Sequence, residues 1–195
     1  GSMLFASLAD GSVVRTLDGH DGPVNSLCLT PDGARLVTGG DDHTVRIWAT
    51  RTWQVQHVLN EHTAYVREVA ATNTVAVSGA EDETVRFWDL ASGEELRVGE
   101  AHREDLRTVA ISADGRLAAS SGLDNQLLLW DVARGEVART LYDANSTVLR
   151  AEGHQTRTVF RIGQVAFVRL QRVGGRGGVV ARERGVVERV LQEVG

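Results

Sequence analysis

Three segments of the chain place a hydroxyl residue, an acid and a tryptophan at identical intervals: Thr38, Asp42 and Trp48; Ser78, Asp82 and Trp88; Ser120, Asp124 and Trp130. A histidine precedes each set. The acid follows His20, His62 and His102 by 22, 20 and 22 residues, and the tryptophan follows them by 28, 26 and 28. A unit of about 40 residues that recurs with its spacing intact constrains the fold more than any single motif. It demands a series of like supersecondary units, each stacking on the next.

Within each unit the residues alternate in the manner of strands. Val24, Leu27 and Leu29 follow the first histidine, and Leu106, Val109 and Ile111 follow the third. Alternation of this kind predicts half-buried strands. The stretches TPDG (30–33) and SADG (112–115) are turn chemistry, with a side-chain acceptor beside a conformationally permissive glycine. Second strands are expected in ARLVTGG and RLAASSG, third strands in TVRIW, TVRFW and QLLLW, and fourth strands after ASG and ARG. Four short antiparallel strands per repeat make one propeller blade.

Over residues 4–141 the pattern, which reads GH…W-A, EH…W-D and AH…W-D, resembles the WD40-repeat β-propeller family, as a bacterial-type, partial propeller. The resemblance implies a buried tetrad in each blade, linking histidine, hydroxyl, carboxylate and indole across the strands. These would be His20/Thr38/Asp42/Trp48, His62/Ser78/Asp82/Trp88 and His102/Ser120/Asp124/Trp130. The residue types suit a closed chain of hydrogen bonds: imidazole donates and accepts, carboxylate only accepts, hydroxyl does both, and indole only donates. Such groups, satisfied inside a blade, are structural rather than catalytic.

The expected fold is therefore all-β. It comprises three clear four-stranded WD40-type blades, a partial N-terminal blade and a degenerate C-terminal blade, an incomplete ring in one chain. Residues 1–3 read as an expression scar and a start methionine. Residues 4–18 supply the third and fourth strands of a partial blade, since Phe5, Ala6 and Gly11 align with Phe87, Trp88 and Gly93. The full blades are expected over 19–60, 61–100 and 101–142. Residues 143–195 are either a degenerate fourth blade or a non-WD40 tail.

Three readings of that tail stand side by side. A fourth blade would start at Gly153-His154, with VAFVRLQRV as its second strand and GVVARE as its third, although Leu170 and Gly174 replace the hydroxyl and the acid. An amphipathic helix over 179–194 would gather Val179, Val180, Val186, Val187, Val190, Leu191 and Val194 on one face, weakened by Gly185. A change of reading frame near 143–153 would account for the abrupt shift in composition.

Charge follows the same division. Residues 1–152 carry 13 arginines against 23 acids, whereas 153–195 carry 8 arginines against 3. An acidic body has no electrostatic footprint for nucleic acid. No apolar run approaches 18 residues, so no membrane span is expected. Cys28 is the single cysteine, which excludes an internal disulfide, and a cytoplasmic location is expected. His20, His62 and His102 belong to the tetrads, while His43, His57 and His154 are scattered, so no metal, cofactor or catalytic residue is expected.

Binding is the function that remains. In the WD40 family, the loops joining fourth to first and second to third strands share one face. The matching positions here are Pro23, Asn25 and Asp41, then Tyr65, Arg67 and Glu81, then Asp105, Arg107 and Leu123. Tyr65, Arg67 and Arg107 are the sharpest set, because aromatic and arginine side chains dominate binding hot spots. Ordinary solvated loops and inter-blade ion pairs are the alternative reading of the same residues. The expected function is a non-catalytic scaffold that binds a protein or peptide through this face. The alternative is a self-assembling unit in which copies complete one propeller as a homo-oligomer.

Overall fold

The computed structural model describes residues 1–142, 155–162, 165–172 and 178–181. Residues 1–144 and 145–195 form two compact units. Among the described residues every regular element is a β-strand, and no helix is long and apolar enough to cross a membrane.

The first unit is a succession of antiparallel sheets. β1 (Ser2–Ala6) pairs with β2 (Val13–Asp18). β3 (Val24–Leu29), β4 (Arg35–Gly40), β5 (Val45–Ala49) and β6 (Gln54–Leu59) form the first four-stranded sheet, in chain order. β7 (Val66–Ala71), β8 (Val75–Ala80), β9 (Val85–Asp89) and β10 (Glu95–Gly99) form the second. β11 (Leu106–Ile111), β12 (Leu117–Gly122), β13 (Leu127–Asp131) and β14 (Glu136–Tyr142) form the third.

β1 starts at Ser2, within the residues read as an expression scar and a start methionine. Met3 faces Leu17 across the β1–β2 pair, and both pack with Leu36 and Trp48 of the first blade. Met3, opposite Leu17, closes the end of that core.

Strand periodicity divides each blade between two interfaces, because neighbouring residues point to opposite faces. On β5, Val45 and Ile47 face the second blade, where they join Val66 and Val69 in one buried cluster. Trp48, the next residue after Ile47, packs toward β1 and β2. The second blade repeats the arrangement. Val85 and Phe87 meet Leu106 and Val109 of the third blade, while Trp88 faces back to the first. Each such apolar side chain contributes roughly 1.5–3 kcal/mol by its burial.

Close approach between blades leaves no room for a side chain at several glycines, Gly39 and Gly79 among them. A Cβ on Gly39 would lie 2.5 Å from Val66 Cγ1, and one on Gly79 would lie 2.7 Å from Val109 Cγ1. Other glycines serve the turns. Gly33 and Gly115, in the two Asp-Gly turns read from the sequence, have φ of 68° and 71°.

In the second unit β15 (Gln155–Ile162), β16 (Val165–Arg172) and β17 (Gly178–Ala181) form a three-stranded antiparallel sheet. β17 takes the first residues of the segment read as an amphipathic helix, and they are strand. Valine's branched Cβ favours that state. The rest of that segment, residues 182–194, and the Gly153-His154 pair lie outside the described residues.

Candidate functional site

In each blade the first strand is preceded by the histidine, the second carries the hydroxyl, the third carries the tryptophan, and the turn between second and third carries the acid. Antiparallel pairing then brings all four together. Trp48 Nε1 donates to Thr38 Oγ1 at 2.9 Å, and that hydroxyl lies 2.7 Å from His20 Nε2. His20 Nδ1 lies 2.9 Å from each oxygen of Asp42. In the second blade Trp88 Nε1 donates to Ser78 Oγ at 2.8 Å, His62 Nε2 lies 2.7 Å from Ser78 Oγ, and His62 Nδ1 lies 2.8 Å from Asp82. In the third the distances are 2.7 Å for Trp130 to Ser120, 2.6 Å for Ser120 to His102 and 2.8 Å for His102 to Asp124.

The direction of these chains follows from who is able to donate. Indole N–H has no alternative but to donate, so each hydroxyl accepts there and spends its own proton on the histidine Nε2. The ring must then carry its hydrogen on Nδ1, where the carboxylate accepts it. All three histidines are therefore fixed as Nδ1–H tautomers with their nitrogens engaged. Each carboxylate also accepts the backbone N–H of the residue after its histidine: Asp21, Thr63 and Arg103, at 2.9, 3.0 and 3.1 Å.

The electrostatics follow. Burial alone would raise the Asp42 carboxyl. Hydrogen bonds from His20, the Asp21 N–H and Thr44 more than reverse it, and the group is held well below the usual carboxylate range. Asp82 behaves likewise, with burial opposed by His62, Thr84 and the Thr63 N–H. Burial pushes His20 below its ordinary value although Asp42 pulls it upward. Cys28, packed against the core between the first and second blades, has its thiol pushed up by burial to about 12.

The loop-face positions are built by a second repeated device. The register of each first strand slips between Val24 and Ser26, Val66 and Glu68, or Leu106 and Thr108. Asn25, Arg67 and Arg107 sit at those slips, where a bulge re-aims a side chain. Backbone bonds tie the two loops of each blade together: Pro23 O, Tyr65 O and Asp105 O accept from the N–H groups of Asp41, Glu81 and Leu123.

A ladder of polar side chains then runs across three blades. Asn25 Nδ2 donates to Asp41 Oδ1 at 2.7 Å, and Arg67 Nη1 reaches the same oxygen at 3.3 Å. Arg67 Nε donates to Glu81 Oε1 at 2.7 Å, and Arg107 Nη1 reaches that oxygen from the other side at 2.9 Å. Arg107 Nη2 ends the ladder on Asp105 at 3.0 Å. Tyr65 stands on it, 41% exposed, with the Arg67 guanidinium 5.1 Å from its ring centre and the His43 ring 5.5 Å away. Leu123, at 42% exposure, occupies the third-blade position where Asp41 and Glu81 stand in the others, and makes no rung.

Thus Asn25, Asp41, Arg67, Glu81, Arg107 and Asp105 are brought together, with Tyr65 against them. The sequence reading did not single out His43, or the threonines Thr44 and Thr84 that donate to Asp42 and Asp82 at 2.8 and 2.7 Å. Their recurrence two residues after the acid was the available signal. Among the described residues no group of three or more histidine, cysteine, aspartate or glutamate side chains is placed to hold a metal ion.

Comparison with known proteins accords with this geometry. The family model described as WD domain, G-beta repeat (WD40) matches residues 4–49, 53–89 and 93–131. The chain is 45% identical over 56 residues to WD repeat-containing protein 86 of Homo sapiens, covering 29% of this chain and 15% of that protein. It is 31% identical over 151 residues to Pre-mRNA-processing factor 19 of Oryza sativa subsp. japonica, covering 74% of this chain and 27% of the relative. It is 32% identical over 138 residues to a guanine nucleotide-binding protein subunit beta of Arabidopsis thaliana, covering 65% of this chain and 37% of the relative. The chain thus spans well under half the length of each of these relatives.

Proposed function

Because the chain belongs to the WD40 repeat family, we propose that it is a non-catalytic scaffold that engages a protein or peptide through its Tyr65 face. The observation that carries this reading is the fixing of an exposed aromatic ring. Tyr65 lies between Arg67 and His43, and Arg67 is itself clamped by Asp41 and Glu81. A ring and guanidinium held in place beforehand lose little freedom on binding, which is how a small exposed patch becomes a hot spot. The ladder acids and arginines are 19–37% exposed, so their pairs contribute only about 0.2–1 kcal/mol each to stability. Their stronger effect is on where Tyr65 stands. The tetrad histidines and carboxylates, which resemble catalytic pairs, are consumed by one another, and this supports a non-enzymatic role.

The test is affinity capture with immobilised chain beside the Tyr65→Ala and Arg67→Ala variants. Proteins retained by the native chain and lost from both variants support the face. Undiminished capture by both variants removes it.

A second reading rests on the ends of the first unit. β1 and β2 form only half of a blade, and Leu27 and Leu29 of the first blade stay 52% and 53% exposed. Their second-blade counterparts, Val69 and Ala71, are covered by the preceding sheet. A second copy that completes this half-blade would make the unit self-assembling, a partial propeller closed by symmetry. Light scattering behind a sizing column tests it: a monodisperse multiple of the 21.1 kDa chain supports self-assembly, and a monomer rules it out.

A further inference from the structure

A turn of one build joins β1 to β2, β5 to β6, β9 to β10 and β13 to β14. The N–H groups of Gly11, Trp53, Gly93 and Gly135 donate to Ser7 O, Ala49 O, Asp89 O and Asp131 O at 2.9, 2.6, 2.9 and 2.8 Å. All four residues have positive φ, of 72°, 59°, 75° and 71°. Glycine adopts that backbone freely, whereas a bulky side chain strains it. Trp53 stands where the other three turns have glycine. It follows Trp48 by five residues, as Gly93 and Gly135 follow Trp88 and Trp130. His43, Glu83 and Asn125 also have positive φ, but each comes directly after its tetrad acid, so they share a turn common to the three blades. Strain peculiar to one position persists only where surrounding contacts hold it.

Those contacts lie on the half-blade. In the second and third blades this turn is covered by the fourth strand of the blade before. A Cβ on Gly93 would come within 2.6 Å of His57, and one on Gly135 within 2.7 Å of Arg97. Arg15 of β2 is the matching residue, since it precedes its blade histidine by five residues, as His57 and Arg97 do. At Trp53 the arrangement is reversed, and the turn reaches back. Its ring centre lies 4.9 Å from that of Phe5 on β1, and the Arg15 guanidinium stands 5.6 Å from the same ring. Both distances are those of favourable aromatic and cation–π contacts.

The half-blade depends on such an attachment more than a full blade does. Of the residues in β1 and β2 only Met3 and Leu17 are buried, whereas β8 alone buries five. A two-stranded sheet is marginal by itself, and few buried apolar contacts make for local opening. Met3 and Leu17 pack on Leu36 and Trp48, with Phe5 and Trp53 at the margin of the same cluster.

We propose that Trp53 is a latch, a strained turn residue that holds β1–β2 over Leu36 and Trp48 as a strap able to open while the three blades stay folded. Leu36 stands opposite Trp48 on one side and opposite the exposed Leu29 on the other. Opening of the strap therefore turns three separate side chains into one continuous apolar surface on the first blade. The latch rests on neither the loop-face reading nor the self-assembly reading.

The test is amide hydrogen exchange of the full chain at neutral pH, read by mass on segments 1–18 and 66–142. Trp53→Gly installs the residue that the second and third blades carry in this turn, so the blades keep their fold. Segment 1–18 should exchange about five- to tenfold faster in this variant, as suits the loss of one aromatic pair and its cation. Segment 66–142 should keep its native rates. Phe5→Ala should also speed segment 1–18, and adding Trp53→Gly to it should bring little further acceleration, because the two rings act as a pair. Unchanged or slower exchange of segment 1–18 in Trp53→Gly would overturn the proposal, since relief of the turn would then outweigh the ring contacts. So would equal acceleration of segment 66–142, or effects of the two substitutions that multiply in full.

Discussion

The first two blades and the third build the same tetrad on different surroundings. Around Asp42 and Asp82 a threonine two residues on donates both its N–H and its hydroxyl. Around Asp124 the residue is Gln126, which donates its N–H alone, at 3.0 Å. Arg46 and Arg86 on the third strands become Leu128, which is buried. Gly39 and Gly79 become Ser121, and the ladder acids Asp41 and Glu81 become Leu123. The four tetrad residues are common to all three. The chain from indole to carboxylate closes inside one blade, so no neighbour alters what it requires. The positions that differ sit where a blade meets its neighbours or its surface.

Acid should expose this division most strongly. Asp42 and Asp82 have folded values well below their unfolded ones, so the unfolded chain takes up their protons first. Their stabilisation is complete above about pH 3.9 and is lost as pH falls from there through the folded values. His20 is also lowered in the folded state, so its contribution is complete above about 6.5 and declines below it. Urea melts across pH should therefore show a shallow fall beginning near 6.5 and a steep, unfolding fall below about 4. A flat profile down to pH 4 would remove the His20 part of the account.

Gly79→Val should be the most damaging single change, because its Cβ would meet Val109 at 2.7 Å and Leu106 at 3.2 Å inside a closed interface. The expected loss is about 2–3 kcal/mol. Ser121→Val, at the matching but partly exposed position, should cost clearly less in the same urea series. Asp82→Ala leaves His62, Thr84 and the Thr63 N–H without their acceptor, at an expected cost of about 1.5–3 kcal/mol by the same measurement. Gln126→Thr runs the comparison in reverse. It restores the missing hydroxyl beside Asp124, and a gain of about 0.5–1 kcal/mol in thermal or urea unfolding is expected.

Much of the fold was legible because its key interactions are local. Histidine, hydroxyl, acid and tryptophan fall within one repeat, so their intervals are visible as spacing. Phe5 aligns with Phe87 in the sequence, and β1 pairs antiparallel with β2. The ladder was harder. Arg67 with Asp41, and Arg107 with Glu81, are each 26 residues apart, and nothing in composition tells a fixed ion pair from a free arginine. In the tail, valine-rich periodicity suited both a helix and a strand, and the residues Gly178–Ala181 take the strand.

The central claim is that each tetrad is a polarised chain running from indole to carboxylate, with the histidine proton on Nδ1. Two-dimensional proton–nitrogen correlation of the imidazole rings near neutral pH tests it directly. His20, His62 and His102 should each show a protonated Nδ1 and a bare, hydrogen-bond-accepting Nε2, distinct from the averaged nitrogens of a ring exchanging rapidly between tautomers. Protonated Nε2 at these three residues, or averaged nitrogens, would mean that the chains run the other way or are open.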